Sequence, residues 1–332
     1  MNTTPDLMHT SSTLTFADHW DHFLARWGYR RGNHRVTPGL YTIGNPTPES
    51  PVLVTANYSL SFDAVRSSLP GADGYILVLD TLGVNVWCAA GKGTFGTDEI
   101  VRRVEATRLS EVVSHRTLIL PQLGAPGVVA HEVKQRTGFK VEYGPVRAAD
   151  LPEYLKTHQA TPEMRQVRFP LRDRLVLIPV ELVQLARPTT LAALALAVLL
   201  GPLAALGTAA AVLAGSALFP ILLPWLPTEE FSSKGFILGG AVAAPFAWLA
   251  HKQVAGSKGQ RIGWPLAYLL ALPPVTAFLA LNFTGSTPFT SKTGVKREMF
   301  RYIRVMAGMF GAGVLLALML RLTGKSDKAS KR

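Results

Sequence analysis

One cysteine occurs in this 332-residue chain, Cys88, within Asn85-Val86-Trp87-Cys88-Ala89-Ala90-Gly91-Lys92. A single thiol forms no disulfide, no Cys-X-X-Cys couple, no iron–sulfur cluster and no multi-cysteine zinc site inside the chain. Its chemistry is that of one thiolate, acting as a nucleophile or as one ligand to something large. A lone cysteine is more often a small buried apolar residue, and the flanks argue against that here. Small residues on one side of a short helix let a flat ligand approach, and Gly91 and Gly93 free the backbone. Lys92 sits close enough to favour the thiolate.

Other patterns say less. Gly91-Lys92-Gly93-Thr94-Phe95-Gly96 has the G-x-G-x-x-G spacing of a dinucleotide loop, but such a loop follows a strand directly. These glycines trail the apolar run ending at Leu79 by a dozen residues. No Walker A sequence is present, because the residue five before Gly91 is Val86. His131-Glu132 opens like a zinc-protease helix, yet position 135 is Gln, and one histidine makes no metal pair. His19 and His22 add no pattern. The net charge of +12 does not indicate nucleic acid, since much of it borders apolar segments. Arg172, Arg174 and Arg187, Lys252, Lys258 and Arg261, Lys292 to Arg304, and Lys325 to Arg332 stand where cations set topology and attract anionic head groups.

The elements that must position Cys88 alternate. Residues 1–14 are polar, read as loose, and lack the apolar stretch of a cleavable signal. Phe16, Trp20, Phe23, Leu24 and Trp27 recur at helical spacing and predict a short amphipathic helix. Residues 28–50, rich in Gly, Pro and Asn, read as loop. Buried strands are expected at 52–56, 75–79, 117–120 and 139–143. Helices are expected between them: one capped by Ser61, one capped by Thr97 with Asp98 and Glu99 in its first turn, one opening at Pro126, and a last short one at 151–158. This alternation predicts a parallel α/β sheet, whose ligands bind beyond the carboxyl ends of the strands. Three loops lie there, at 57–59, 81–95 and 121–127, and Cys88 is in the longest.

The second half is a membrane domain. Residues 188–226 are 39 residues without a charge, almost twice the roughly 20 that cross a bilayer once. Gly201-Pro202, Gly207 and Pro220 interrupt them, so two spans joined by a tight turn fit better than one. Apolar stretches at 235–250, 262–283 and 302–320 bring the expected number to about five, with four as the alternative. Residues 175–186, short and carrying Glu181, are expected at the interface. The spans hold almost no ionisable residue, so this half reads as an anchor or docking platform, not a conduit. Arg172, Arg174 and Arg187 place the soluble half in the cytoplasm, on the inner membrane. With five spans, the basic loop at 252–261 then faces out, the reverse of the usual bias.

Asn85 to Lys92 resembles the signature of the HgcA family of mercury-methylating corrinoid proteins. So do Val54-Thr55-Ala56-Asn57-Tyr58, Asp80-Thr81-Leu82-Gly83, Leu120-Pro121-Gln122-Leu123-Gly124-Ala125-Pro126-Gly127 and Tyr143-Gly144-Pro145-Val146-Arg147. These segments are more distantly similar to the corrinoid domain of the corrinoid iron–sulfur protein large subunit. The resemblance covers about residues 50–158, and the membrane half fits in its placement.

The resemblance implies an α/β flavodoxin-like (Rossmann-like) corrinoid-binding domain followed by an all-α transmembrane domain. The divisions are an N-terminal extension at 1–50, the corrinoid domain at 51–160, a linker and interfacial segment at 161–187, the membrane domain at 188–322 and a basic tail at 323–332. It implies cobalamin, with Cys88 as the catalytic residue and lower axial ligand of cobalt. Asn85, Val86, Trp87, Ala89, Ala90, Gly91, Lys92 and Gly93 then belong to the cap helix under the corrin ring. By position, Thr55, Asn57, Thr81, Gly124 and Ala125 are further candidates for contact. The implied activity is that of a methyltransferase moving a methyl group from cobalt to Hg(II), giving methylmercury. Hg(II) is an electrophile, so the methyl group must leave with its electron pair, and an anionic sulfur opposite it favours that polarity. The implied partners are a ferredoxin-like iron–sulfur protein, HgcB in that family, and a methyl-folate-dependent methyl donor. Two alternatives stay open: a corrinoid methyl carrier of one-carbon metabolism of the acetyl-CoA pathway type, and a membrane-tethered binding module whose Cys88 is structural.

Overall fold

The computed structural model describes residues 6–254, 257–287 and 289–329. The chain divides after Arg168 into two compact units. Unit 1 is built on the strands β1 (Leu7–Thr10), β2 (Gly39–Ile43), β3 (Val52–Ala56), β4 (Gly74–Leu79), β5 (Thr117–Leu120) and β6 (Lys140–Tyr143). They form one sheet in the order β1-β2-β4-β3-β5-β6. The pairings β4–β3, β3–β5 and β5–β6 are parallel, as is β1–β2, whereas β2 runs antiparallel to β4. The expected parallel sheet therefore holds for the four strands read from apolar runs. It is corrected at its edge: the segment expected to be loose and the loop expected at 28–50 each contribute a strand, and the sheet is mixed.

The apolar runs explain which strands are central. Every residue of β3 and β4 is buried, as continuous apolar strands covered on both faces should be. Their side chains alternate between layers. Val52, Val54, Ala56, Leu77 and Leu79 join one core cluster; Leu53 joins another, and Ile76 and Val78 a third. The helices of unit 1 are α1 (Phe16–Arg26), α2 (Ser59–Ser67), α3 (Val86–Lys92), α4 (Thr97–Ala106), α5 (Leu109–Val112), α6 (Ala130–Thr137) and α7 (Leu151–Thr157). Residues of α3 to α6 join the first cluster, and Phe62 of α2 and Leu151 and Tyr154 of α7 pack with the others. Three helix starts differ from expectation. Tyr58, not Ser61, precedes α2, and Gly96, not Thr97, is the N-cap of α4. Thr97 Oγ1 instead accepts from the Val129 amide at 2.9 Å. Pro126 lies inside a 3-10 turn, Gln122–Gly127, before the helix starts.

Helix α1 forms as its spacing predicts, but its aromatic face points outward. Phe16, Trp20, Phe23 and Trp27 are exposed. Its polar residues make the contacts to unit 1. Asp18 Oδ2 is 2.8 Å from Arg66 Nη2, His22 Nε2 is 2.7 Å from Asp63 Oδ2, and Ser59 Oγ donates to Asp21 Oδ2 at 2.5 Å. Burial works against ionisation of Asp18, but hydrogen bonds from the Thr15 amide and hydroxyl and the Arg66 guanidinium outweigh it. They hold the carboxyl at about 2, against an ordinary 3.8. The folded value is the lower one, so this contribution is complete above pH 3.8 and is lost as the pH falls towards about 2. Amide exchange in α1, corrected for intrinsic rates, is therefore expected to rise across that window before exchange in β3 and β4 does. Asp18→Asn is expected to remove the pH step; the same step in that variant would assign it elsewhere.

Unit 2 comprises α8 (Leu171–Leu175), α9 (Ile178–Leu200), α10 (Pro202–Leu213), α11 (Phe219–Leu222), α12 (Phe231–Gln253), α13 (Lys258–Asn282) and α14 (Lys292–Ala329). Among the described residues five helical stretches are long and apolar enough to cross a membrane: Leu171–Leu200, Pro202–Leu222, Phe231–Gln253, Lys258–Ser286 and Thr293–Thr323. Of the three interruptions in residues 188–226, Gly201-Pro202 is the one that separates two helices, with Gly201 at φ 103°. From Ile178 the segment 175–186 is continuous helix with the residues after it, because Pro188 sits inside α9 without ending it. Small residues bring α12, α13 and α14 into backbone contact. A Cβ on Gly235 would lie 2.6 Å from Ala277 Cα, one on Gly239 2.7 Å from Pro273 Cα, and one on Gly313 2.7 Å from Ala271 N. Charges gather at helix ends: Arg301 pairs with Glu230 at 2.9 Å, and Glu298 accepts from the Ser232 amide. Lys331 and Arg332 of the basic tail lie outside the described residues.

Candidate functional site

The loop leaving β4 positions the segment that carries Cys88. Asn57, at the end of β3, is buried. Its Oδ1 accepts from the Thr81 amide at 3.0 Å, the Thr81 hydroxyl at 2.9 Å and the Gly83 amide at 3.0 Å, while Nδ2 donates to Asp80 Oδ1 at 3.1 Å. Glu99 of α4 accepts from the Asp80 amide at 2.8 Å. The loop is thus tied to β3 and α4. Asn85 then caps α3: its Oδ1 accepts from the Cys88 amide at 2.9 Å, satisfying a donor the helix leaves free. Gly93, at φ 84°, ends the helix in the left-handed conformation. Asn85→Ala is expected to cost about 1 kcal/mol of local helix stability. Hydrogen exchange should show it as faster exchange at 86–90 with β3 and β4 unchanged.

The two sides of α3 differ. Val86, Ala89 and Ala90 are buried against the sheet and α4. Trp87, Gly91 and Lys92 are exposed, and Cys88 is half-buried with a free thiol. Ala89 and Ala90 are therefore not the open face; their small size serves inward packing. The open small residue is Gly91, where a Cβ would meet nothing within 4 Å. Gly91 and Lys92 follow Cys88 at i+3 and i+4, so the three share a face. A flat group laid on that face meets the sulfur first and no obstructing side chain at Gly91. Leu82, in the loop before α3, and Trp87, beside Cys88 in the chain, are exposed apolar side chains.

Behind α3 the turn Gln122–Gly127 fixes the helix in place. A Cβ on Gly124 would lie 2.5 Å from Phe95 Cε1, and one on Gly127 would lie 2.2 Å from the Phe95 carbonyl oxygen and 3.0 Å from Ala90 Cα. Gly127 permits backbone-to-backbone packing against α3 and the segment after it, and Gly124 makes room for the Phe95 ring. Phe95 itself is fully buried.

A cavity of about 350 Å³ opens at the carboxyl ends of β3 and β5. Thr55, Ser61, Pro121 and Pro145 line it, and Asn85 and Trp87 reach into its wall from the start of α3. It lies between β3 and β5, where the order of the parallel strands reverses direction, the position at which open α/β sheets bind ligands. Trp87 therefore stands between the outer face with Cys88 and an internal hollow. Among the described residues no group of three or more His, Cys, Asp or Glu is placed to hold a metal ion. This surface offers one sulfur, a flat approach and a pocket, which fits a large planar group with an appendage and does not fit a bare ion.

Known proteins resemble unit 1. Residues 30–155 match the family described as CdhD, CO dehydrogenase/acetyl-CoA synthase delta subunit. Similar curated proteins are gamma subunits of the acetyl-CoA decarbonylase/synthase complex. The one from Methanopyrus kandleri is 37% identical over 128 residues, 38% of this chain and 27% of its own length. Those from Archaeoglobus fulgidus and Methanothermobacter thermautotrophicus are each 34% identical, over 124 residues (37% of this chain, 26% of the relative) and 122 residues (36% and 26%). The chain spans about a quarter of the length of these relatives, and the family match lies wholly within unit 1.

The structure brings Asn85, Trp87, Cys88, Gly91, Lys92 and Gly93 together on or beside one short helix, and Thr55 into the cavity behind it. It places Asn57 and Thr81 in the brace under the loop, and Gly124 and Ala125 in the turn behind α3. Sequence reading missed Ser61, Pro121 and Pro145 in the cavity wall. Pro121 and Pro145 follow β5 and β6 by one and two residues, a position at which lining residues are expected.

Proposed function

We propose that unit 1 binds a corrinoid over the outer face of α3, with Cys88 Sγ as the lower axial ligand of cobalt, and that the chain is a membrane-anchored corrinoid methyl-transfer protein. The observation that carries this is the half-exposed thiol on a capped helix, with open space over Gly91 and a cavity alongside. The match of residues 30–155 to the CO dehydrogenase/acetyl-CoA synthase delta subunit family supports it, together with the resemblance of segments within residues 50–158 to corrinoid domains. The parallel strands, taken in chain order, lie second–first–third–fourth, the order in which flavodoxin-like sheets begin, and this supports that fold for residues 51–160.

When bound, the corrinoid supplies a cobalt-carried methyl group, and a thiolate opposite it favours departure with the electron pair. The chain's own residues prepare for this. Asn85 fixes the helix start and so the direction of the Cys88 side chain. Gly91 leaves clearance for the ring, and Trp87 shields the sulfur from water on the cavity side. Thr55 and Ser61 offer hydroxyls to an appendage in the cavity.

For the acceptor we favour Hg(II), giving methylmercury, because the sulfur ligand suits an electrophilic acceptor and Asn85 to Lys92 resembles the mercury-methylating family. A methyl carrier of one-carbon metabolism is the second reading. The comparisons favour it, since the relatives are subunits of acetyl-CoA decarbonylase/synthase complexes. Both readings include a low-potential ferredoxin-type donor, a methyl-folate-linked methyl source and a cytoplasmic position for unit 1. The test is anaerobic purification of the full chain. A corrin absorbance spectrum is expected, and its absence ends both readings. Methyl-loaded protein offered Hg(II) or a thiol then separates them: methylmercury formation selects the first, transfer to the thiol alone the second.

A further inference from the structure

Helix α1 is built inside out. At 100° per residue, Phe16, Trp20, Phe23 and Trp27 (i, i+4, i+7, i+11) share one narrow face, and Asp18, Asp21, His22 and Ala25 share the opposite one. The second face is turned to the protein. Ala25 is buried, and Asp18, Asp21 and His22 bond Arg66, Ser59 and Asp63. The aromatic face is left outside, at 83, 52, 47 and 43% exposure in chain order. Its rings form a continuous row, Trp20 on Phe23 at 5.3 Å and Phe23 against Trp27 at 5.6 Å. A helix resting on a water-soluble domain carries these faces the other way round.

The surroundings of this row are cationic. Arg26, Arg30, Arg31 and Arg35 are all exposed, and no Asp or Glu occurs from His22 to Pro48. Trp-rich apolar faces bordered by arginines and free of acids suit the head-group region of an anionic bilayer. The chain reaches a bilayer in any case, since its first candidate span opens at Leu171, three residues after unit 1 ends.

We propose that α1 docks on the lipid bilayer. It lies in the interface plane with Phe16, Trp20, Phe23 and Trp27 among the head groups and outer acyl carbons, and with Arg26, Arg30, Arg31 and Arg35 on anionic lipid. Unit 1 then has a second attachment besides its covalent link. The ion pairs of α1 run to α2, which lines the cavity through Leu60, Ser61 and Ala64. The membrane contact and the cavity wall therefore share one helix pair. The proposal does not depend on what the cavity binds.

The test uses the full chain reconstituted in phosphatidylcholine vesicles with and without phosphatidylglycerol. In a Cys88→Ala background, Phe23→Cys or, as a control on the same unit, Thr37→Cys carries a spin label. Relaxation by oxygen is compared with relaxation by a water-soluble nickel complex. The label at 23 is expected to show an oxygen-to-nickel ratio several-fold above that at 37, rising with phosphatidylglycerol. Arg30→Glu with Arg31→Glu is expected to abolish the rise. Equal ratios at 23 and 37 would place the face in water and overturn the proposal. A label at 23 immobilised and shielded from both reagents, in vesicles and in detergent alike, would overturn it in favour of a protein contact.

Discussion

Cys88→Ala is expected to reduce methylmercury formation to the background of corrinoid-free protein while leaving the fold intact. Cys88 is half-buried and belongs to none of the core clusters, so replacing its thiol by hydrogen is expected to cost no more than about 1 kcal/mol. The melting temperature and far-ultraviolet circular dichroism should match wild type, and the corrin spectrum should shift. Cys88→His, which offers a neutral nitrogen, is expected to restore a ligand-like spectrum without restoring methylmercury formation. Cys88→Thr retaining the wild-type rate would remove the axial thiolate from the mechanism. The opposite pattern, a large stability loss with an unchanged spectrum, is what a structural cysteine requires.

Gly127→Ala is expected to have the largest effect of any change outside the cap helix itself. The new methyl group would stand 2.2 Å from the Phe95 carbonyl oxygen and 3.0 Å from Ala90 Cα. Both are backbone atoms, which no side-chain rotation can clear. Overpacking costs about 1–3 kcal/mol where neighbours can yield. Here α3 must shift, and Cys88 shifts with it. Thermal unfolding should show the stability loss, and corrinoid retention through gel filtration should fall by at least about tenfold, the equivalent of 1.4 kcal/mol. Gly91→Ala is the informative contrast. Among the described residues nothing lies within 4 Å of that methyl group, and Ala is the better helix former by about 1 kcal/mol. Stability should hold or rise while corrinoid retention falls. Unchanged retention in Gly91→Ala would put the ring somewhere other than over this face.

The central strands were legible because continuous apolar runs such as Tyr75-Ile76-Leu77-Val78-Leu79 have few other uses in a soluble unit. Strand β2 was not, since Pro38, Gly39 and Gly44 bracket Leu-Tyr-Thr-Ile with turn signals, and tertiary pairing with β4 overrides them. Strand β1 lies at the sheet edge and is too short and polar to announce itself. For α1, periodicity identified which side chains share a face but carried no information on which face meets solvent. That depended on Arg66 and Asp63, more than thirty residues away. The same blindness affects the site. Small residues at 89, 90, 124 and 127 look alike in sequence whether they admit a ligand or another stretch of backbone, and the structure assigns all four to packing. Cys88 stood out in the sequence as the one sulfur of its kind in the chain, whereas the capping of its helix by Asn85 became visible only in the structure.

The contact between Gly127 and Ala90 has a mechanical meaning. With backbone packed on backbone there, α3 cannot move towards the turn without displacing it. In the proposed reading, a change in the length of a bond made to the sulfur would have to be taken up by the bound partner, and the scaffold would act as an anvil and not as a spring.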